Sequence, residues 1–177
     1  MTSIPTKIHI IGSVGSGKTT LAKELSLQLQ IPYYELDNVV WERSDKGERR
    51  RTEVEREVFL QSLVETDKWI IEGVHNEKWV STSFEKAEVI IFLDTNYSIR
   101  TYRIIKRFIK QKLQIEKAHY QPTFTIFFKM FKWNKQFESI GKPNFWENYH
   151  HLHQKITIMK KNNKVILTEI FPQANDT

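Results

Sequence analysis

Gly12-Ser13-Val14-Gly15-Ser16-Gly17-Lys18-Thr19 follows directly on the apolar run from Ile8 to Ile11. The stretch fits G-x-x-x-x-G-K-[ST] in the context that motif requires: a strand, a glycine turn, then a helix. Its glycines let the backbone wrap closely, so that successive N–H groups point at phosphate oxygens. The helix that opens near Gly17 directs its positive dipole end at the same anion. In such a loop Lys18 reaches the β- and γ-phosphates and the Thr19 hydroxyl is a Mg²⁺ ligand. The candidate cofactor-binding residues are therefore Gly12, Ser13, Gly15, Ser16, Gly17, Lys18, Thr19 and Thr20, with ATP and Mg²⁺ as the cofactors.

Working outward, Lys7–Ile11 reads as a buried first strand, and Leu21, Leu25 and Leu29 mark one face of the helix behind the loop. Pro32 ends that helix, which predicts a second strand over Pro32–Leu36 that delivers Asp37 at its end. Residues 42–51 are charged and contain Gly47, and they read as a mobile loop. Thr52 and Glu55 have the spacing of a capping box for a helix to Thr66, with Val54 and Val58 on one face. Trp69–Glu72 and Glu88–Asp94 read as two further strands, with a short helix over Asn76–Lys86 between them.

A long amphipathic helix is expected over Tyr97–Lys117, with Tyr102, Ile105, Ile109 and Leu113 as its apolar stripe. Arg100, Arg103, Arg107 and Lys110 fall on another face. Residues 119–145 fit either a helix or an irregular insertion; Asn144 is placed to cap a final helix to Lys161, and Lys164–Glu169 reads as the last strand. Strands alternating with helices imply one α/β domain over residues 1–177, a five-stranded parallel sheet covered on both faces. Its ligand would lie at the strands' C-terminal ends. Residues 97–145 form a basic helical lid or insertion in this scheme.

Composition narrows the function classes. The chain has 177 residues, enough for a proper core. It has no cysteine, which excludes disulfides and thiolate metal sites. No apolar run approaches membrane-spanning length, and the start MTSIPTKIHI lacks a signal-peptide core, so a cytoplasmic protein without a membrane partner is the default. The net charge of +6 is unevenly divided: residues 1–95 hold 12 basic and 16 acidic side chains, residues 96–164 hold 15 and 3. A basic half near a phosphate loop suits a polyanionic ligand, nucleotide or nucleic acid, and a solvated basic surface is the plainer alternative. Monomer and homodimer both remain open.

Three acidic residues, Asp37, Glu72 and Asp94, sit at expected strand ends. A carboxylate there holds Mg²⁺ through its waters or orients an acceptor hydroxyl as base. Asp37 and Glu72 are read this way, whereas Asp94 is read as a helix cap. Gly73 after the Glu72 strand would let an acceptor approach the backbone, although glycine is also a common exit from a strand. Trp41 and Tyr34 are placed to stack a base or to pack the core. His150, His151 and His153 are read as surface residues rather than a metal set. Arg100, Arg103 and Arg107 would close over transferring phosphates, with a solvated helix face as the plainer alternative.

The order GSVGSGKT, YYELDNVVW, WIIEG, AEVIIFLD and RxxRxxxR resembles the adenylate-kinase-related phosphate-loop kinases. More narrowly it resembles the bacterial DNA topology modulation proteins of the FlaR type, over residues 7–110. That resemblance implies the adenylate-kinase strand order. It also implies Lys18 and Thr19 as phosphate and Mg²⁺ contacts, Asp37 facing the acceptor, and Arg103 and Arg107 as lid arginines. Two departures stand out: Glu72 takes the place of the commoner Asp, and VHNEKW after Gly73 lacks the F-P-R with which adenylate kinases grip a monophosphate. The resemblance thus implies a kinase of a nucleoside, nucleotide or other small acceptor, with a nucleotide-dependent protein acting on DNA as the rival. Neither N-K-x-D nor D-x-x-G occurs, which disfavours a GTPase.

Overall fold

The computed structural model describes residues 4–45, 47–115 and 123–160. Strand β1 (Lys7–Gly12) runs into the glycine loop, and helix α1 (Lys18–Leu29) leaves it. Gln30 closes α1 in the left-handed region, at φ 56°, two residues before Pro32. Strand β2 (Tyr33–Glu35) follows, then the short helix α2 (Leu36–Val40). Asp37 therefore stands in the first turn of α2, and not on the strand itself.

Residues 42–51 are not a loop. They form a hairpin, β3 (Trp41–Ser44) against β4 (Gly47–Arg50). The charges that suggest solvation by their composition pair across the two strands: Arg43 with Glu48 at 2.9 Å, and Arg49 with Glu42 at 2.6 Å. Arg49 also reaches Glu55 of helix α3 (Glu53–Val64) at 2.9 Å, tying the hairpin to the next element. The capping box of α3 forms as its spacing predicts, between Thr52 and Glu55. Its inward residues, however, are Leu60 and Val64, while Val54 and Val58 face solvent.

Strand β5 (Trp69–Gly73), a 3₁₀ turn (Lys78–Val80) leading into α4 (Ser81–Lys86), and β6 (Val89–Leu93) come next. Helix α5 spans Tyr97–Lys112, and Asn96, not Asp94, caps it by accepting from the Ser98 N–H. Asp94 instead receives the Lys142 ammonium at 2.6 Å. The aromatic-basic stretch forms helix α6 (Phe124–Gln136), a π turn (Phe137–Gly141) and helix α7 (Lys142–Tyr149). Asn144 lies inside α7, which opens on Pro143. The helix expected to reach Lys161 stops early. After a 3₁₀ turn (His150–Lys155), Ile156–Met159 is strand β7, because its β-branched residues complete the free side of β6. The strand expected over 164–169 lies outside the described residues.

All five sheet strands are parallel, in the order β2-β5-β1-β6-β7. This is the α/β phosphate-loop NTPase fold, with the strand order the resemblance implied. Period-2 alternation splits the core into two layers. Ile8, Ile10, Ile70, Ile91 and Leu93 face α1, where Leu21 and Leu25 meet them. Ile11, Trp69, Ile71, Ile90 and Phe92 face the other layer, packed by Phe84, Phe145 and Tyr149. Every strand's C-terminal end comes to one edge, and the glycine loop sits at its centre.

Candidate functional site at the phosphate loop

The loop has the backbone of an anion cradle. Gly15 and Gly17 lie at φ 75° and 101°, where an L-residue is strained, and Gly17 leads straight into α1. A Cβ on Gly15 would stand 2.9 Å from the Arg100 carbonyl oxygen, so α5 rests directly on the loop. Ser13 and Ser16 are buried, and the Ser16 hydroxyl has no hydrogen-bond partner among the described residues. An orphaned buried hydroxyl beneath a glycine cradle fits a phosphate oxygen.

Lys18 folds back on the loop, donating from Nζ to the Ser13 carbonyl at 3.0 Å. Burial pulls its pKa below the ordinary lysine value, and the Glu72 and Asp37 carboxylates oppose that pull. Glu72, buried at the end of β5, has its pKa raised by burial, opposed by Lys18 and by a hydrogen bond from Thr19. Thr19 Oγ1 donates to Glu72 Oε1 at 2.5 Å. Glu35, level with Glu72 on the neighbouring strand, and Asp37 both add negative charge to this corner. A hydroxyl and carboxylates gathered beside a phosphate cradle suit a hard divalent cation with oxygen ligands. Thr20, one residue along α1, points to solvent.

The remaining candidates are placed as follows. Asp37 is exposed on α2, within electrostatic reach of Lys18 and Glu72. Trp41 is exposed on the hairpin, whereas Tyr34 packs against the core. A Cβ on Gly73 would come within 2.6 Å of the Leu36 side chain, so close packing of α2 over β5 requires this glycine. His151 pairs with Glu85 at 2.9 Å on the surface.

Helix α5 is turned over relative to the sequence reading. Its expected core stripe, Tyr102, Ile105, Ile109 and Leu113, is exposed, and Arg100 and Ile104 are its buried residues. The arginine face meets the loop instead. Arg103 donates to the Ser16 carbonyl at 2.8 Å and to that of Gly15 at 3.4 Å. Arg107 lies against Met130 of α6, with its charge felt at Lys18. Arg100 is wholly buried and ion-paired with Glu138. Sequence reasoning missed Asn134: this α6 residue is buried and accepts a hydrogen bond from Ser13 Oγ at 3.1 Å. A lone asparagine in an aromatic-basic run carries no spacing signal by which to find it.

The sequence of residues 8–119 matches the family model described as AAA domain. The chain belongs to that AAA domain family. Among its relatives is the uncharacterized protein YqaC of Bacillus subtilis, 32% identical over 101 residues, which are 56% of this chain and 55% of that protein. A shikimate kinase of Bacillus cereus is 28% identical over 63% of this chain and 84% of its own length. A cytidylate kinase of Sulfurisphaera tokodaii is 29% identical over 63% and 72%. In fold, the AAA-family chain is similar to shikimate kinase from Acinetobacter baumannii solved with shikimate, at TM-score 0.60 and 17% identity. That likeness covers 96% of this chain and 94% of the other. Among the described residues no helix is long and apolar enough to cross a membrane.

Proposed function

We propose that the chain is a phosphotransferase that moves the γ-phosphoryl group of Mg·ATP to a small acceptor: a nucleoside, a nucleotide or another hydroxyl- or phosphate-bearing molecule. The observation that carries this reading is the meeting of Lys18, Thr19, Glu72 and the arginine face of α5 on one loop. Kinship with proteins named as shikimate and cytidylate kinases supports it. The narrower kinship with the FlaR-type proteins rests on motif order alone. The basic half of the chain finds a task at the loop itself, through Arg103 and Arg107, without a nucleic acid.

Mg·ATP, when bound, would supply the transferable group and a divalent charge to offset the phosphates. The loop N–H groups, Ser16 and Lys18 would hold the phosphates. Thr19 and Glu72 would hold the ion, with Asp37 adding negative charge beside them. Asp37, exposed beside Lys18 and Glu72, receives the acceptor hydroxyl proton. Arg103 and Arg107 neutralise charge that develops as the phosphoryl group moves. Acceptor-dependent ADP release, screened over nucleosides, monophosphates, hydroxy acids and sugar acids, tests the reading. The expected result is one class of acceptor that raises ADP release well above the acceptor-free rate. ATP bound but never turned over faster with any acceptor would contradict it.

A further inference from the structure

The phosphotransfer reading leaves Asn134 without a task, although this α6 residue is hydrogen-bonded to the loop. Its side chain is fully buried, and Met130, one turn earlier on α6, and Phe137, which opens the π turn, are buried as well. Ser13 Oγ donates to Asn134 Oδ1 at 3.1 Å, and Asn134 Nδ2 donates to Thr101 Oγ1 at 3.3 Å. Thr101 Oγ1 in turn donates to the Tyr97 carbonyl of α5 at 2.9 Å. Three bonds thus connect the second residue of the phosphate loop, through α6, to the backbone of α5. An asparagine on an apolar helix face costs desolvation that a leucine would not, so its retention there depends on the partners it finds.

We propose that Asn134 is a positioning residue for the phosphate loop. By holding the Ser13 hydroxyl it fixes the first turn of the cradle before the nucleotide arrives, and it makes seating of α6 part of nucleotide binding. Arg103 fixes the loop's other half through the Gly15 and Ser16 carbonyls, so the two contacts grip the cradle from both sides. Removing Asn134 then leaves the phosphate-binding groups of the loop in place but less ordered, which weakens ground state and transition state alike. Such a loss raises KM for ATP while turnover at saturation is kept.

The inference rests on the loop being a nucleotide site, and the test separates the two. Mg·ATP affinity is measured by calorimetry for the wild type, Asn134→Ala, Ser13→Ala and the double variant. Each single change is expected to weaken binding about tenfold, the scale of one hydrogen bond. The double variant is expected to lose no more than the worse single, because both break the same contact. Ser13→Ala removes one oxygen and serves if Asn134→Ala fails to fold. Wild-type affinity in both single variants, or losses that multiply in the double, would overturn the role of Asn134 and leave the nucleotide site standing. A wild type that binds no Mg·ATP would remove both.

Discussion

His9 occupies the middle of β1, buried, with neither ring nitrogen hydrogen-bonded among the described residues and its ring stacked 3.9 Å from that of Phe84. Burial lowers its pKa from 6.5 to about 3. A base depressed in this way binds fewer protons folded than unfolded between those values, so stability is lost as pH falls below about 6.5 and continues to fall towards 3. The full effect is on the order of 5 kcal/mol, at about 1.4 kcal/mol per tenfold change. His9→Phe is expected to flatten the dependence of melting temperature on pH across that window. An unchanged slope would place the acid sensitivity elsewhere. At this scale the glycine turn between β1 and α1 was legible, because glycine spacing is a local requirement. Asn134 and the burial of Arg100 were illegible, because both depend on which distant element packs against them.

For elements, α5 shows what periodicity can and cannot tell. The 3.6-residue repeat correctly put Arg100, Arg103 and Arg107 together, but it does not say which face meets protein. The glycine loop offers its carbonyls to Arg103, and the half-exposed Glu138 of the π turn offers a counter-charge to buried Arg100; these outweigh burial of the Tyr102–Leu113 stripe. Arg107→Ala is expected to keep the melting temperature within a few degrees and to lower turnover about a hundredfold, the scale of losing one charge-stabilising donor. Unchanged turnover would make Arg107 a packing residue against Met130. The Arg100–Glu138 pair behaves differently. Glu138→Ala leaves a buried guanidinium without its counter-charge and is expected to cost about 3 kcal/mol, read in denaturant unfolding. Arg100→Met, of similar volume, is expected to be far milder. Equal losses in the two variants would contradict a desolvated ion pair.

Across the whole molecule, the parallel sheet was legible from strand-helix alternation, and its strand order was implied by the family resemblance. The two-layer core follows from the alternation of Ile8 to Ile11 and Ile90 to Leu93. The hairpin at 41–50 was not legible, because its opposed charges read as solvation until they are placed across from one another. Strand β7 was hidden for a similar reason: Ile156–Met159 suits either a helix or a strand until β6 presents a free edge. The acceptor side stays underdetermined in the sequence, since Asp37, Trp41 and Gly73 acquire meaning only from their neighbours. In the fold Asp37 stands near Lys18 and Glu72, and Gly73 is held against Leu36.

The central claim is that the Gly12–Thr19 loop holds the triphosphate of Mg·ATP through Lys18. Calorimetric titration of Mg·ATP into the wild type and Lys18→Ala tests it most directly, with melting curves of both proteins as a check on folding. Lys18 reaches the Ser13 carbonyl from outside the core, so its loss is expected to leave the fold intact while weakening ATP binding at least tenfold. Equal affinity in the two proteins, or no binding by the wild type, would contradict the account.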